Sequence, residues 1–163
     1  MKRAIIIGCS GGGKSHFARN LQQKTGLPLY HLDMIYWNAD GTTIPKNEFR
    51  EKLKQLLDTD LWIIDGNYSS TMEMRMEKCD TVFFLDYPTE VCLAGILERK
   101  GKPRLDIAWQ SPLENEDAEF VEFIKSYNTV NRPQVMELLE KYSDKNIIIF
   151  NSRDDAERFL SQI

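Results

Sequence analysis

The 163-residue chain holds only three cysteines and two histidines. Cys9, Cys79 and Cys92 are far apart and form no C-x-x-C pair. That speaks against a disulfide framework or a structural zinc site and for a reducing, cytoplasmic setting. No apolar run approaches the ~20 residues that a membrane span needs. The stretch after Met1-Lys2-Arg3 is only four residues, Ala4 to Ile7, too short for the apolar segment of a signal peptide. Positive charge is not in excess either: 21 Lys and Arg stand against 25 Asp and Glu, a net charge of −4. A duplex-DNA binder normally carries a clustered basic surplus, so direct DNA binding is not expected. Repeats, low-complexity tracts and linkers are missing too. The expectation is one domain, 1–163, able to bury about 70% of its extended-chain surface.

What the chain does have is concentrated at one place. Gly8-Cys9-Ser10-Gly11-Gly12-Gly13-Lys14-Ser15 satisfies G-x-x-x-x-G-K-[ST] in full. Ala4 to Ile7 ahead of it reads as a buried strand. Phe17, Ala18 and Leu21 behind it recur at helical spacing, and Gly26 supplies a stop. Strand, glycine loop and helix are the context this motif needs. Backbone N–H groups of the loop curl around phosphate oxygens, and the helix N-terminus adds positive dipole. Lys14 is expected on the β- and γ-phosphates and the Ser15 hydroxyl on Mg²⁺. The chain is therefore expected to bind a nucleoside triphosphate, with ATP as phosphoryl donor and Mg²⁺ as its counter-ion.

Further strands are expected at Leu29–Leu32, Leu61–Ile64, Val82–Leu85 and Ile147–Phe150. Helices are expected after Pro45, with Phe49, Leu53, Leu56 and Leu57 on one face, and from Pro88 to about Arg99. A long helix is read from about Asp117 to Lys141, bent or interrupted at Pro133. Ser152 and Asp155 resemble the cap of a last helix. Residues 100–115, rich in Gly, Pro and charge, read as a loop or flap. Apolar strands alternating with helices give an α/β fold whose parallel sheet is covered on both faces. Ligands bind such sheets beyond the carboxyl ends of the strands.

The polar residues that follow each strand are therefore the candidates for chemistry. Asp33 follows the second strand and suits a hydrogen bond to, or a proton from, an acceptor hydroxyl. His31 nearby reads as a satisfied core residue, and Tyr36 and Trp37 as packing. Asp65 follows the third strand and Asp86 the fourth, and either one suits the Mg²⁺ shell. Asp65 is preferred, because Gly66 beside it permits close approach, and Asp86 alternatively caps the helix after Pro88. Arg75, Arg99, Arg104 and Arg132 lie in segments expected to face the cleft, where cations would stabilise a migrating phosphoryl group. The loop at Asn151-Ser152-Arg153 is the expected neighbour of the base.

These segments resemble the adenylate kinase-like branch of P-loop kinases, and more closely the small bacterial proteins labelled DNA topology modulation proteins. The residues that carry the likeness are His31-Leu32-Asp33-Met34-Ile35-Tyr36-Trp37, Trp62 to Ser70, Phe84-Leu85-Asp86-Tyr87-Pro88, the Arg99–Asp106 flap and Asn131-Arg132-Pro133. The resemblance implies a three-layer P-loop NTPase fold with five parallel strands in the order 2-3-1-4-5 and a short lid at about 99–115. It also implies Asp65 at the metal-supporting position, Arg99 and Arg104 as lid arginines, and Arg132 reaching the transferred group. The chain departs from classical adenylate kinases in lacking their long lid and their nucleoside-monophosphate motif after strand two.

Two functions follow as expectations. One is a kinase transferring the γ-phosphate of Mg-ATP to a small acceptor held at about 33–60, with a nucleotide or nucleoside among the candidates. The other is a nucleotide-gated regulatory protein without a small acceptor. A GTPase switch lacks its signals, since neither [NT]-K-x-D nor a D-x-x-G after strand three is present.

Overall fold

The computed structural model describes residues 1–99, 102 and 118–163. Its centre is β1 (Arg3–Gly8), flanked by β3 (Trp62–Asp65) and β4 (Thr81–Leu85), with β2 (Leu29–His31) and β5 (Asn146–Phe150) at the edges. The strand order is β2-β3-β1-β4-β5 and every pairing is parallel. A central strand of a parallel sheet is covered on both faces, so it must be apolar throughout. Ala4, Ile5, Ile6 and Ile7 are accordingly all fully buried.

The period of two along the strands divides the core. Ala4, Ile6, Ile63, Phe83 and Leu85 point to one face. There they meet Phe17, Ala18 and Leu21 of α1 (Lys14–Thr25), Cys92 and Ile96 of α5 (Thr89–Arg99), and Ala156 and Leu160 of α7 (Arg153–Gln162). Phe17, Phe83, Phe150 and Phe159 pack together here at centroid separations of 5.2–6.4 Å. Ile5, Ile7, Trp62, Ile64, Val82 and Phe84 point to the other face. Phe49, Leu53 and Leu57 of α3 (Lys46–Leu57) and Met72 and Met76 of α4 (Ser69–Lys78) cover it.

The long helix α6 (Ala118–Lys141) serves both cores. Ile124 and Tyr127 belong to the first, Val135 and Leu139 to the second. It runs through Pro133 as one helix, so of the expected bend or interruption the interruption does not occur. Pro133 is exposed, as is Thr129 one turn earlier. Water can therefore take the carbonyl that proline leaves without a donor.

Two helices escape the sequence reading. One is the single turn α2 (Leu32–Tyr36), and the other is α4, whose buried face carries Thr71 and Arg75 beside its methionines. A buried arginine breaks the apolar stripe by which a helix is recognised. The remaining strands shift by a residue or so from their expected limits, as ends commonly do. Ser152 does cap α7, its hydroxyl accepting the Asp155 N–H at 3.2 Å. The expected flap lies outside the described residues, except for Arg99 and Lys102.

Removing side chains from these two kinds of position separates core from cap. Leu53→Ala empties a fully buried site and is expected to cost about 2–5 kcal/mol. Ser152→Ala removes one cap bond and is expected to cost about 1 kcal/mol. Urea unfolding should show both as shifts of the midpoint at constant slope.

Candidate active site

The glycine loop closes between the end of β1 and the start of α1. Gly11 and Gly13 hold φ of 80° and 87°, and Gly13 caps α1 with no side-chain hydrogen bond and no acid in the first turn. The helix N-terminus is thus left to an anion. Gly11 has a second constraint: a Cβ there would lie 2.1 Å from the Cys92 carbonyl oxygen. The loop is pressed against α5, and no other residue fits. Within it the Gly12 N–H donates to the Cys9 carbonyl at 3.1 Å, and Lys14 Nζ folds back to donate to the same oxygen at 3.1 Å. Burial lowers the Lys14 pKa, while Asp65 and Asp33 oppose it and Arg99 adds to it. Asp33, Asp65 and Arg99 therefore all act electrostatically on this ammonium.

Asp65 is the hub. Parallel register sets it beside Ile6 on one side and His31 on the other. Its Oδ2 accepts the Ser15 hydroxyl at 2.6 Å and its Oδ1 accepts His31 Nδ1–H at 2.7 Å. A hydroxyl and a carboxylate oxygen in contact beside a phosphate loop are the hard donors Mg²⁺ takes when phosphates complete its shell. Among the described residues, no group of three or more His, Cys, Asp or Glu forms a cage that would replace that arrangement. The donor set fits magnesium. His31, read from the sequence as a satisfied core residue, is largely buried and finds its partner in Asp65. Its register opposite that aspartate was the available signal.

Gly66 has a packing reason of its own. Its φ is 132°, and a Cβ would come within 3.0 Å of the Leu32 side chain. The glycine lets the chain pack on α2. The next residues are pinned in turn. The Asn67 side-chain oxygen accepts the Gly8 N–H at 3.1 Å, and Arg75 donates to the carbonyls of Gly66 (2.9 Å), Asn67 and Tyr68 (3.2 Å). Arg75 is fully buried, and that burial pushes its pKa down to about 10. It underpins the loop and is no part of a cationic cage. Tyr68 donates its phenol to Asp33 Oδ1 at 2.5 Å.

The other candidates separate. Arg132 makes a two-pronged ion pair with Asp86, Nε to Oδ1 at 2.8 Å and Nη2 to Oδ2 at 2.7 Å, which raises its pKa. Asp86 therefore anchors Arg132 at the end of β4. Arg153 pairs with Glu98 and reaches the Gly11 carbonyl at 3.5 Å, which sets the β5–α7 loop against the phosphate loop. Arg104 lies outside the described residues. No described helix is long and apolar enough to cross a membrane.

Comparison with known proteins agrees with this fold. Adenylate kinases of Thermotoga neapolitana and Thermotoga maritima are 27% identical over 101 residues, 60% of this chain and 45% of theirs. The matched stretch is thus less than half the length of those relatives. A shikimate kinase from Acinetobacter baumannii, solved in complex with shikimate, superposes with a TM-score of 0.63 at 19% identity, covering 99% of this chain and 92% of that one. The shikimate kinase of Aquifex aeolicus gives 0.55 at 19% identity, over 98% and 92%. No family model matches. The fold is that of the P-loop kinases, with the sheet order 2-3-1-4-5.

Because Arg75 bonds three carbonyls from a buried position, its removal should be costly. Charge-assisted bonds contribute about 1.5–3 kcal/mol each. Arg75→Met is expected to destabilise the fold by roughly 3 kcal/mol or more on that scale, and Arg75→Lys by less. Denaturant midpoints for both variants check the order. Equal losses for the two would contradict the role of the fork.

Proposed function

We propose that this chain is an ATP-dependent kinase that transfers the γ-phosphoryl group to a hydroxyl of a small acceptor. One observation carries the reading. Lys14, the Ser15–Asp65 pair and Asp33 gather at the ends of adjacent strands, and Asp33 acts electrostatically on the Lys14 ammonium. A second carboxylate close enough to act on the same ammonium suits an acceptor hydroxyl better than it suits ATP binding alone. The adenylate kinase relatives support ATP as donor, and a structural neighbour that holds shikimate supports a small-molecule acceptor.

Each residue then has a task. Gly8, Cys9, Ser10, Gly11, Gly12 and Gly13 wrap the phosphates with backbone N–H groups, which bind without reorganising. Lys14 leaves the Cys9 carbonyl and moves to the β/γ oxygens, where its charge offsets what builds up in the transition state. Ser15 and Asp65 would hold Mg²⁺, which supplies further neutralisation of those oxygens. Asp33 orients the acceptor hydroxyl and takes its proton as the bond to phosphorus forms. The acceptor lies between α2, α3 and the Asp65-Gly66-Asn67 turn. Arg99 and Arg132 would provide cationic closure over the phosphates and keep water from consuming ATP, a task the resemblance also assigns to Arg104, which lies outside the described residues. The resemblance to topology modulation proteins rests on the motif segments alone, and a net charge of −4 favours a small acceptor over DNA.

The test is transfer of labelled γ-phosphate to a panel of nucleoside monophosphates, nucleosides, sugars and small hydroxy acids. One member is expected to become labelled. With it, Lys14→Ala should lower turnover by about 10²–10³-fold, and Asp33→Asn by about 10²–10⁴-fold. Wild-type turnover in Lys14→Ala would overturn the mechanism. Tight ATP binding with no labelled acceptor, alongside ATP-dependent association with DNA or protein, would favour a nucleotide-gated regulator.

A further inference from the structure

Tyr68 stands out on backbone grounds. Among the described residues it is the one non-glycine with positive φ, at 38°. An aromatic side chain rarely occupies that region, and residues held there cluster where geometry serves a site. Its neighbours hold it. Arg75 donates to its carbonyl at 3.2 Å, and its ring packs on Tyr36 and Phe49 at centroid separations of 5.4 and 5.2 Å. Trp37 also acts on its phenol. The left-handed turn aims the phenol across 35 positions of sequence at Asp33 Oδ1, 2.5 Å away. The same residue is the N-cap of α4, its carbonyl accepting the Thr71 N–H at 3.0 Å and the Thr71 hydroxyl at 3.1 Å, so one turn starts the helix and delivers the phenol.

We infer that Tyr68 is a positioning residue, fixing the rotation of the Asp33 carboxylate and holding it in the ionised form that an acceptor hydroxyl requires. The inference rests on the reading of Asp33 as the acceptor-side carboxylate. A phenol O–H donated to a carboxylate is a charge-assisted bond that exists in full only while the carboxylate is ionised. Burial, with Asp33's own charge, pushes the phenol's pKa up, so Tyr68 keeps its proton and remains a donor. Lys14 acts on Asp33 from α1, Tyr68 from the turn before α4, and Tyr36 and Trp37 flank the contact. Lys14 favours the same ionised form, so deleting the hydroxyl should raise the Asp33 pKa without reaching that of an isolated buried acid. The sign is fixed: with Tyr68 the carboxylate ionises at lower pH, without it at higher pH.

Carbon-13 NMR of the side-chain carboxyls tests this on the full chain without any acceptor. Asp33→Asn assigns the resonance. In Tyr68→Phe, which keeps the ring and loses only the hydroxyl, the Asp33 midpoint is expected to rise by about one pH unit, on the scale of a charged hydrogen bond. Affinity for a non-hydrolysable ATP analogue should stay within about twofold, since Tyr68 lies outside the phosphate loop. A second readout needs no Tyr68 variant: the wild type should show a downfield, exchange-protected hydroxyl proton that vanishes in Asp33→Asn. An unchanged Asp33 titration in folded Tyr68→Phe, or no such proton, overturns the positioning role and leaves the kinase reading standing. A shifted titration in a protein that labels no acceptor overturns the kinase reading, while the Tyr68–Asp33 coupling holds.

Discussion

The site depends on one carboxylate with both oxygens committed. Asp65 takes the Ser15 hydroxyl on one side and His31 Nδ1–H on the other. Those two bonds tie the first turn of α1 and the last residue of β2 to the end of β3. Because β3 is hydrogen-bonded to β1 and β2 in fixed register, the carboxylate is placed by the sheet rather than by a loop. Sites built on regular elements are held more tightly than sites on loops. On the proposed reading, Mg²⁺ would need little rearrangement there, since the two oxygens already lie together.

The second constraint is that strands buried on both faces can carry chemistry only where they end. The apolar runs of β1, β3 and β4 fill two cores, and the polar groups appear one or two residues later. There the chain must turn sharply, and three devices allow it. Gly11 accepts direct backbone contact with α5, Gly66 packs on Leu32, and the buried Arg75 fork satisfies the carbonyls of the turn before α4. Arg132 reaches the same edge because α6 passes from one core to the other and meets Asp86 on the way. The core and the site are thus one construction, and a loss of packing under the Gly66–Tyr68 turn reaches Asp33 through Tyr68.

The sheet and the phosphate loop were readable in the sequence because each leaves a local signal. Four-residue β-branched or aromatic runs mark buried strands, and fixed glycine spacing marks a backbone cradle. Strand-end position likewise singled out Asp33 and Asp65 as candidates. The rest depends on pairing across long separations, which composition does not encode. For His31 nothing local names the partner, which lies 34 positions away. Arg75 looked like a cleft cation because nothing local shows that three carbonyls close over it. The helix α4 was hidden for the same reason, its buried stripe being interrupted by that arginine. At Pro133 the helix continues where an interruption was one of two expectations, since the effect of proline depends on whether the opposite carbonyl faces water.

The central claim is that Ser15 and Asp65 hold magnesium against a nucleotide triphosphate on the glycine loop. Calorimetric titration with a non-hydrolysable ATP analogue, with and without Mg²⁺, tests it most directly in the wild type and in Asp65→Asn. The account predicts that Mg²⁺ strengthens analogue binding to the wild type and that Asp65→Asn loses most of this gain while keeping the metal-free affinity. An equal magnesium gain in both proteins would contradict it.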